Sequence, residues 1–512
     1  MSTEAPVANS PQPFEEEVVC VRLLLAERDR SITERDKRIG ELELLVAALQ
    51  KELGELKARL GQNSSNSSKP PSSNAPWVKP KPTKKRSGRK AGGQRGHKGA
   101  HRKPLPLEAV DKVVRHEPRA CQHCAEHFNG TEEEVGEPER WQVTELPVVR
   151  AEVTEHQGIG RRCCRCGRVS HGRIPPHVKI SAFGPRAQAT IASLGGRFRL
   201  SRREVTEISE DVLGMPISVG SVQECCERTS EAVAAPVTEV EGVVRQASIA
   251  HADETGWKQA GKRFWLWVVV TVHATVFKLA DSRGSKVIQE MLGTAFHGIL
   301  VTDRYSAYRT LTGIVRQLCW AHLKRDFQGL VDGGGAAQPI GEWALREYQR
   351  LFSLWHAYRN GEISWENLQA SLPPVKARFK RLLQLGLERL EKGKGLGLCK
   401  NLLKDWPSLW TFTNIRGVEP TNNTSERALR AAVLWRRMCQ GTRSALGSLF
   451  VQRMLTVAAT CRQHNRPLLE YLVEVCWAAR LGQAPPSMLP PLATVVALPT
   501  APLPALDLAA TG

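Results

Sequence analysis

Ser248–Trp257 reads SIAHADETGW, and its short alternation of apolar and polar side chains predicts a β-strand that opens a new domain. RFWLWVVVTVH from Arg263 and ATVFKLA from Ala274 predict two further strands, close enough behind the first to pair as hairpins. SRGSKVIQEMLG from Ser282 predicts a helix, GILVTD from Gly298 a fourth strand, and VRQLCWAH from Val315 a fifth before a basic helix. Three hairpin-connected strands, a crossover helix and a returning strand make a mixed α/β sheet.

In the ribonuclease H-like version of such a sheet the fourth strand lies beside the first. Asp253, expected at the end of the first strand, and Asp303, at the end of the fourth, would then stand side by side at the carboxyl edge, where ligands of open α/β sheets collect. Two such carboxylates repel unless a cation lies between them. Mg²⁺ or Mn²⁺ suits all-oxygen ligands, and a pair of ions can activate an attacking oxygen and stabilise a leaving one at a phosphodiester. A third acid is needed. Strand alternation turns Glu254 away from the Asp253 face, and Glu290 lies on the solvated side of a helix. His251 shares the Asp253 face and reads as a satisfied core histidine.

TNNTSERALR, Thr421–Arg430, offers Glu426 as the third acid. By itself the stretch is a capping box, with Asn423 as the cap and Glu426 three residues on, at the start of an Ala/Leu/Arg helix. Fifty residues separate Asp253 from Asp303 and 123 separate Asp303 from Glu426, so the second gap requires a helical, Trp-bearing insertion over 331–415. The core would resume over 416–480. Trp257, Trp343, Trp355, Trp406 and Trp410 read as packing residues.

The rest of the chain points to nucleic acid. The 512 residues imply several structural units, and 72 Lys and Arg against 52 Asp and Glu give a formal charge of +20, which suits a polyanionic partner better than a small neutral substrate. The start has neither a basic n-region nor an apolar h-region, and FWLWVVVTV from Phe264 is too short to span a bilayer, so a soluble cytosolic protein is expected. Thirteen cysteines without a secretion signal speak for metal binding or burial over disulfides.

Val18, Leu25, Ile32, Ile39, Val46, Leu53 and Leu60 fall at sevenfold spacing, with Leu42, Leu49 and Leu56 on the second seam, so 14–61 reads as a coiled coil that joins copies of the chain. Arg28 and Arg35 occupy that second seam earlier and weaken it there. A disordered basic arm over 62–107 follows, in which Lys84, Lys85, Arg86, Arg89, Lys90, Arg95 and Lys98 can track DNA phosphates. Over 108–176, Cys121 with Cys124 and Cys163 with Cys166 form two CxxC pairs able to hold one structural Zn²⁺, and WQVTELPVVRAEVTEHQ between them looks like ribbon strands. Cys164 can replace Cys163, and His123 or His127 can substitute on the other side. Residues 177–245 read as helical, with LSRREVTEISEDVLGMPISVGSVQECCERTS either a DNA-reading helix-turn-helix or a plain helical hairpin. The Pro/Ala/Leu tail, 481–512, reads as disordered.

HADETGW, GILVTDRYSAY, QLCWAHLKRDF and EPTNNTSERALR, in this order, resemble the transposases of the insertion-sequence-66 family, a DDE class with a ribonuclease H-like catalytic domain. The zipper, the NSSNSSKPPSS linker, the GGQRGHKG arm and the paired CxxC ribbon look like that family too, so the resemblance covers about Val18 to Leu472. It implies Asp253, Asp303 and Glu426 as a triad holding two Mg²⁺ or Mn²⁺ ions. It also implies action on the terminal inverted repeats of an element and on target DNA, accessory proteins from the same element, and a bacterial, nucleoid-associated location. Arg304 departs from the glycine expected after the second acid. His322, Arg325, Arg427 and Arg430 are candidates to hold the scissile strand, with Arg436 and Arg437 a little further on. A non-catalytic DNA-binding protein derived from a transposase, or a stand-alone metal nuclease, are the competing readings.

Overall fold

In the computed structural model, helix α1 (Pro13–Leu60) carries the heptad seam along its length. The seam is open to solvent, with Leu42 53% and Leu49 55% exposed, so it does not pack on the rest of its own chain. The structure describes residues 13–63, 66–67 and 103–490. The basic arm from Lys84 to Lys98 and the tail from residue 491 lie outside the described residues.

The chain divides into two units, one made of Lys79–Ser181 with Leu200–Glu224 and the other of Met1–Val78, Ala182–Arg199 and Cys225–Gly512. In the smaller unit the only described strands are β1 (Gly160–Arg162) and β2 (Val169–His171), an antiparallel hairpin around the second CxxC pair. The strands expected over Trp141–Gln157 are not there. Their alternating apolar residues have nothing to cover them: Trp141 is 88% exposed and Val153 89%, and a strand with no face to bury gains little from pairing. After α2 (Pro185–Gly196), which belongs to the larger unit, α3 (Arg202–Asp211) and α4 (Val219–Ala232) form the expected helix, turn and helix. Ser201 and Glu204 close a capping box at the start of α3, Gly214 supplies a left-handed turn residue (φ 57°), and Arg202 Nε donates to Gln223 Oε1 at 2.8 Å.

In the larger unit α5 (Ala234–Arg245) leads into β3 (Ile249–Gln259), β4 (Lys262–Val270) and β5 (Thr275–Ala280), an antiparallel meander. Helix α6 (Ser285–Leu292) crosses over to β6 (Ile299–Thr302), which runs parallel to β3, and β7 (Val315–Leu318) adds parallel to β6. The spatial order is β5-β4-β3-β6-β7, so the fourth strand of the sheet does lie beside the first. Gly298 starts that pairing. A Cβ there would come within 2.5 Å of the Ala247 carbonyl, and the next residue, Ile299, donates its N–H to Ser248 O at 2.8 Å.

Helix α7 (Trp320–Gly333) leaves β7, and the insertion continues through α8 (Gln338–Arg359), α9 (Trp365–Ser371), α10 (Pro373–Arg389), α11 (Lys394–Lys404) and the single turns α12 (Trp406–Leu409) and α13 (Thr411–Asn414). Its core is aromatic. Trp320 packs on Phe379 and Trp410 at ring separations of 5.3 and 5.2 Å, and its indole N–H donates to Leu409 O at 2.8 Å. Trp257, Trp355 and Trp410 are buried and Trp343 and Trp406 pack against the same cluster or its edge, as packing residues should. The chain returns through α14 (Asn423–Cys439), packed on β3 and β4, followed by α15 (Ala445–Gln463) against β5 and α16 (Leu468–Leu481). Among the described residues no helix is long and apolar enough to cross a membrane.

Candidate active site

The parallel ladder pairs Ile249 with Ile299, Ala250 with Leu300 and His251 with Val301, an offset of fifty residues. Asp253 and Asp303 have that same separation, so both stand two steps beyond the last pair and point from the same side of the sheet. Asp253 is not at a strand end, as expected from sequence. It sits within β3, which continues to Gln259 along β4 alone, and what ends at His251 is the parallel ladder.

Both aspartates are half-buried at the cleft and only partly satisfied. Asp253 Oδ1 accepts the Glu254 N–H at 2.9 Å and Asp303 Oδ1 accepts the Tyr305 N–H at 2.9 Å. Burial, with Glu254, Asp303 and Glu426 nearby, holds Asp253 well above the usual carboxylate range. Burial also raises Asp303, against the opposing pull of the Tyr305 N–H and of Arg283, Arg304 and Arg316. Glu254 turns to other partners, accepting from Arg283 Nη2 at 2.7 Å and from the Tyr308 hydroxyl at 2.5 Å. Neither Arg283 nor Tyr308 stood out in the sequence. Glu290 pairs with Lys278 at the surface, as its solvated helix face led us to expect.

Glu426 arrives on the first turn of α14, but not through the expected capping box. Asn422, one residue earlier, is the N-cap, and its side chain does not cap the helix. It is wholly buried, donates from Nδ2 to Ala252 O at 2.7 Å, and lies 3.3 Å from His251 Nδ1. His251 is thus a satisfied core histidine, pushed down to about 4 by burial. The Asn422 N–H in turn meets Cys319 Sγ at 3.1 Å, and the Cys319 N–H donates to Thr302 O at 2.8 Å, beside Asp303. A tertiary hydrogen-bond demand from β3 has overridden the local capping pattern.

Around Glu426, His322 Nδ1 and Arg325 Nη2 each lie 3.6 Å from Oε1. His322 is pushed down to about 3 by burial and by Arg325 and Arg304. Cys319, His322 and Glu426 bring one ligand atom each to within 4.8 Å of one another, the one such group of three among the described residues. Asp253, Asp303 and Glu426 share a cleft of about 2250 Å³ without closing to such a cluster. Arg304, the departure from the expected glycine, lines that cleft with its guanidinium held by Asp326 at 2.5 Å. Arg427, Arg430, Arg436 and Arg437 line it as well, and Arg436 is anchored to β3 by donating to Thr255 Oγ1 at 3.0 Å and to the Gly256 carbonyl.

In the smaller unit the two CxxC pairs form matching turns. The Cys121 N–H donates to Glu126 O at 2.8 Å and the Ala125 N–H to Cys121 O at 2.9 Å, and the Cys163 N–H donates to Arg168 O at 2.8 Å and the Gly167 N–H to Cys163 O at 2.9 Å. Cys163, not Cys164, therefore occupies the position equivalent to Cys121. Backbone N–H groups of Cys124 and His123 lower the Cys121 thiol, and those of Cys166 and Arg165 lower Cys163, as metal-binding thiols require. The two pairs do not converge on one another among the described residues.

A five-stranded mixed sheet with in-register, half-buried carboxyls, a third acid delivered by a returning helix and an arginine-lined cleft define a mixed α/β protein. Residues 181–448 match the profile of the IS66 transposase family, and the chain belongs to that family. Residues 29–103 match a family of unknown function, DUF6444. An uncharacterized protein of Sinorhizobium fredii, y4hP, is 26% identical over 431 residues, 75% of this chain and 74% of the relative. A second from that organism, y4qI, is 25% identical over 271 residues, 48% of this chain and half of the relative.

Proposed function

We propose that this transposase-family chain is an active DDE transposase with a ribonuclease H-like catalytic domain, in which Asp253, Asp303 and Glu426 hold two Mg²⁺ or Mn²⁺ ions. The observation that carries the reading is the shared register of Asp253 and Asp303 together with the Asn422 anchor that ties the Glu426 helix to Ala252. The donor set fits hard cations: two half-buried carboxyls stand together at the cleft against their own repulsion, and Glu426 Oε1 is buried with no hydrogen-bond partner. When bound, the ions supply activation of the attacking oxygen and charge neutralisation at the phosphate.

The chain's own groups do the rest. Glu254, fixed by Arg283 and Tyr308, holds the strand that carries Asp253. Arg430 and Arg437, and Arg427, whose Nη2 donates to Thr424 Oγ1 at 3.3 Å, line the cleft where scissile-strand phosphates would lie, while Arg436 stiffens β3. Element ends are cut by water and the freed 3′-hydroxyl attacks target DNA. The basic arm, from Lys84 through Lys98, and the α3–α4 pair position the duplex, and Zn²⁺ taken by Cys121, Cys124, Cys163 and Cys166 would draw the two CxxC turns of the smaller unit together. The exposed seam of α1 pairs copies of the chain, so that two ends meet in the bacterial cytoplasm, with accessory proteins of the same element assisting.

The test is a cleavage and strand-joining assay with Mg²⁺ or Mn²⁺ on DNA carrying the inverted repeats that flank the gene. Cutting that Asp253→Asn and Glu426→Gln abolish, with DNA binding kept, supports the reading. Binding without cutting, even with the element's other proteins added, favours a non-catalytic DNA-binding protein instead.

A further inference from the structure

Two buried polar atoms beside the triad face each other. Glu426 Oε1 and His322 Nδ1 are both shielded from solvent, neither has a hydrogen-bond partner, and they are 3.6 Å apart. Buried polar atoms are almost always paired, so each such exception asks for an explanation. The gap is too long for a hydrogen bond. It is short enough to be spanned by one cation about 2 Å from each donor.

His322 is carried rigidly to this place. It sits in the first turn of α7, its N–H donates to Cys319 O at 3.2 Å, and Cys319 is bonded both to Thr302 on the Asp303 strand and to Asn422 at the head of the Glu426 helix. A surface contact to DNA phosphate does not suit it, since only 15% of its side chain is exposed and it faces Glu426. Cys319, the third member of the group, is already engaged, because its sulfur accepts the Asn422 N–H. Arg325 is the rival for Glu426 Oε1, but it too stands at 3.6 Å, and its Nε is also without a partner.

We propose that His322 is a nitrogen ligand of the cation held by Glu426, so that the site is three carboxylates and an imidazole. This rests on the metal-dependent reading above. An imidazole ligand favours Mn²⁺ over Mg²⁺, which prefers oxygen.

The test is pulsed electron paramagnetic resonance on the full-length protein loaded with Mn²⁺ alone. A ¹⁴N coupling is expected in the wild type, with the bound Mn²⁺ lost in Asp253→Asn. In His322→Gln the coupling should vanish while Mn²⁺ still binds, at least about tenfold more weakly. Cys319→Ser should keep the coupling, and equal melting temperatures and zinc content exclude misfolding. Mn²⁺ that depends on Asp253 but shows no nitrogen coupling, or a coupling that survives His322→Gln, overturns the ligand role and leaves the triad standing. No Mn²⁺ bound by the wild type overturns both.

Discussion

The side-chain amide of Asn422 donates to the carbonyl of Ala252 at 2.7 Å, one residue before Asp253 and four before Glu426 in its own strand and helix. One wholly buried side chain thereby fixes the distance between two acids that lie far apart in sequence. Asn422→Ala leaves the Ala252 carbonyl and His251 without their partner and should cost about 1–3 kcal/mol. Cleavage should fall by more than that loss explains, because Glu426 loses its anchor. Denaturant unfolding and single-turnover cleavage, compared on the same variant, check this.

The paired aspartates also set a pH dependence. Asp253 and Asp303 hold their protons to higher pH in the fold than the roughly 3.9 of an unfolded aspartate. A group with a raised folded pKa contributes stability that is full below the unfolded value and is lost as pH rises through the folded one. The metal-free protein should therefore melt at lower temperature as pH climbs from about 4 through the raised values. Mn²⁺ should restore the loss at the upper end, since it binds the deprotonated form. Asp253→Asn should melt higher than metal-free wild type and show a flatter profile; a steeper one would contradict the assignment.

Glu254 is paired by Arg283 with only 1% of its side chain exposed, against 37% for the arginine. Arg283→Ala strands a buried carboxylate, and the cost should approach about 3 kcal/mol, below the full value for a buried pair because solvent reaches the arginine side. Tyr308→Phe removes one hydrogen bond to the same carboxylate and should cost about 1.5 kcal/mol or somewhat more. Thermal melts of the two variants and of the Glu254→Gln, Arg283→Ala double variant test it, since the double should recover part of the loss.

The matching turns at Cys121 and Cys163 predict which thiols take zinc. Cys163→Ser should release the metal and loosen residues 108–176 to proteolysis, whereas Cys164→Ser should retain it. Metal analysis of the purified variants with limited proteolysis decides between them.

The five-stranded sheet was legible because its signals are local: alternation over SIAHADETGW, a continuous apolar run in β4, and chain lengths that permit only hairpins and one crossover. Strand order then placed Asp303 beside Asp253. The ribbon strands were misread because apolar alternation says nothing about whether a face exists to cover it, and over Trp141–Gln157 none does. At Thr421–Arg430 two asparagines stand side by side, and which of them heads the helix was decided by a carbonyl about 170 residues away. Arg283, Tyr308, Asp326 and Asn422 escaped notice for the same reason, because each acts through a partner that only folding brings near.

The insertion leaves and re-enters the sheet at a single doorway. The Trp320 N–H donates to Pro420 O at 2.9 Å, and the Asn422 N–H meets Cys319 Sγ. The aromatic helical module is thus a buttress and no mere appendage: its core runs on into Ile299, Val301 and Leu318 of the sheet, and Thr411 Oγ1 and the Phe412 N–H donate to Arg316 O and Gln317 Oε1 of β7, so the strand beside Asp303 is braced from the insertion side.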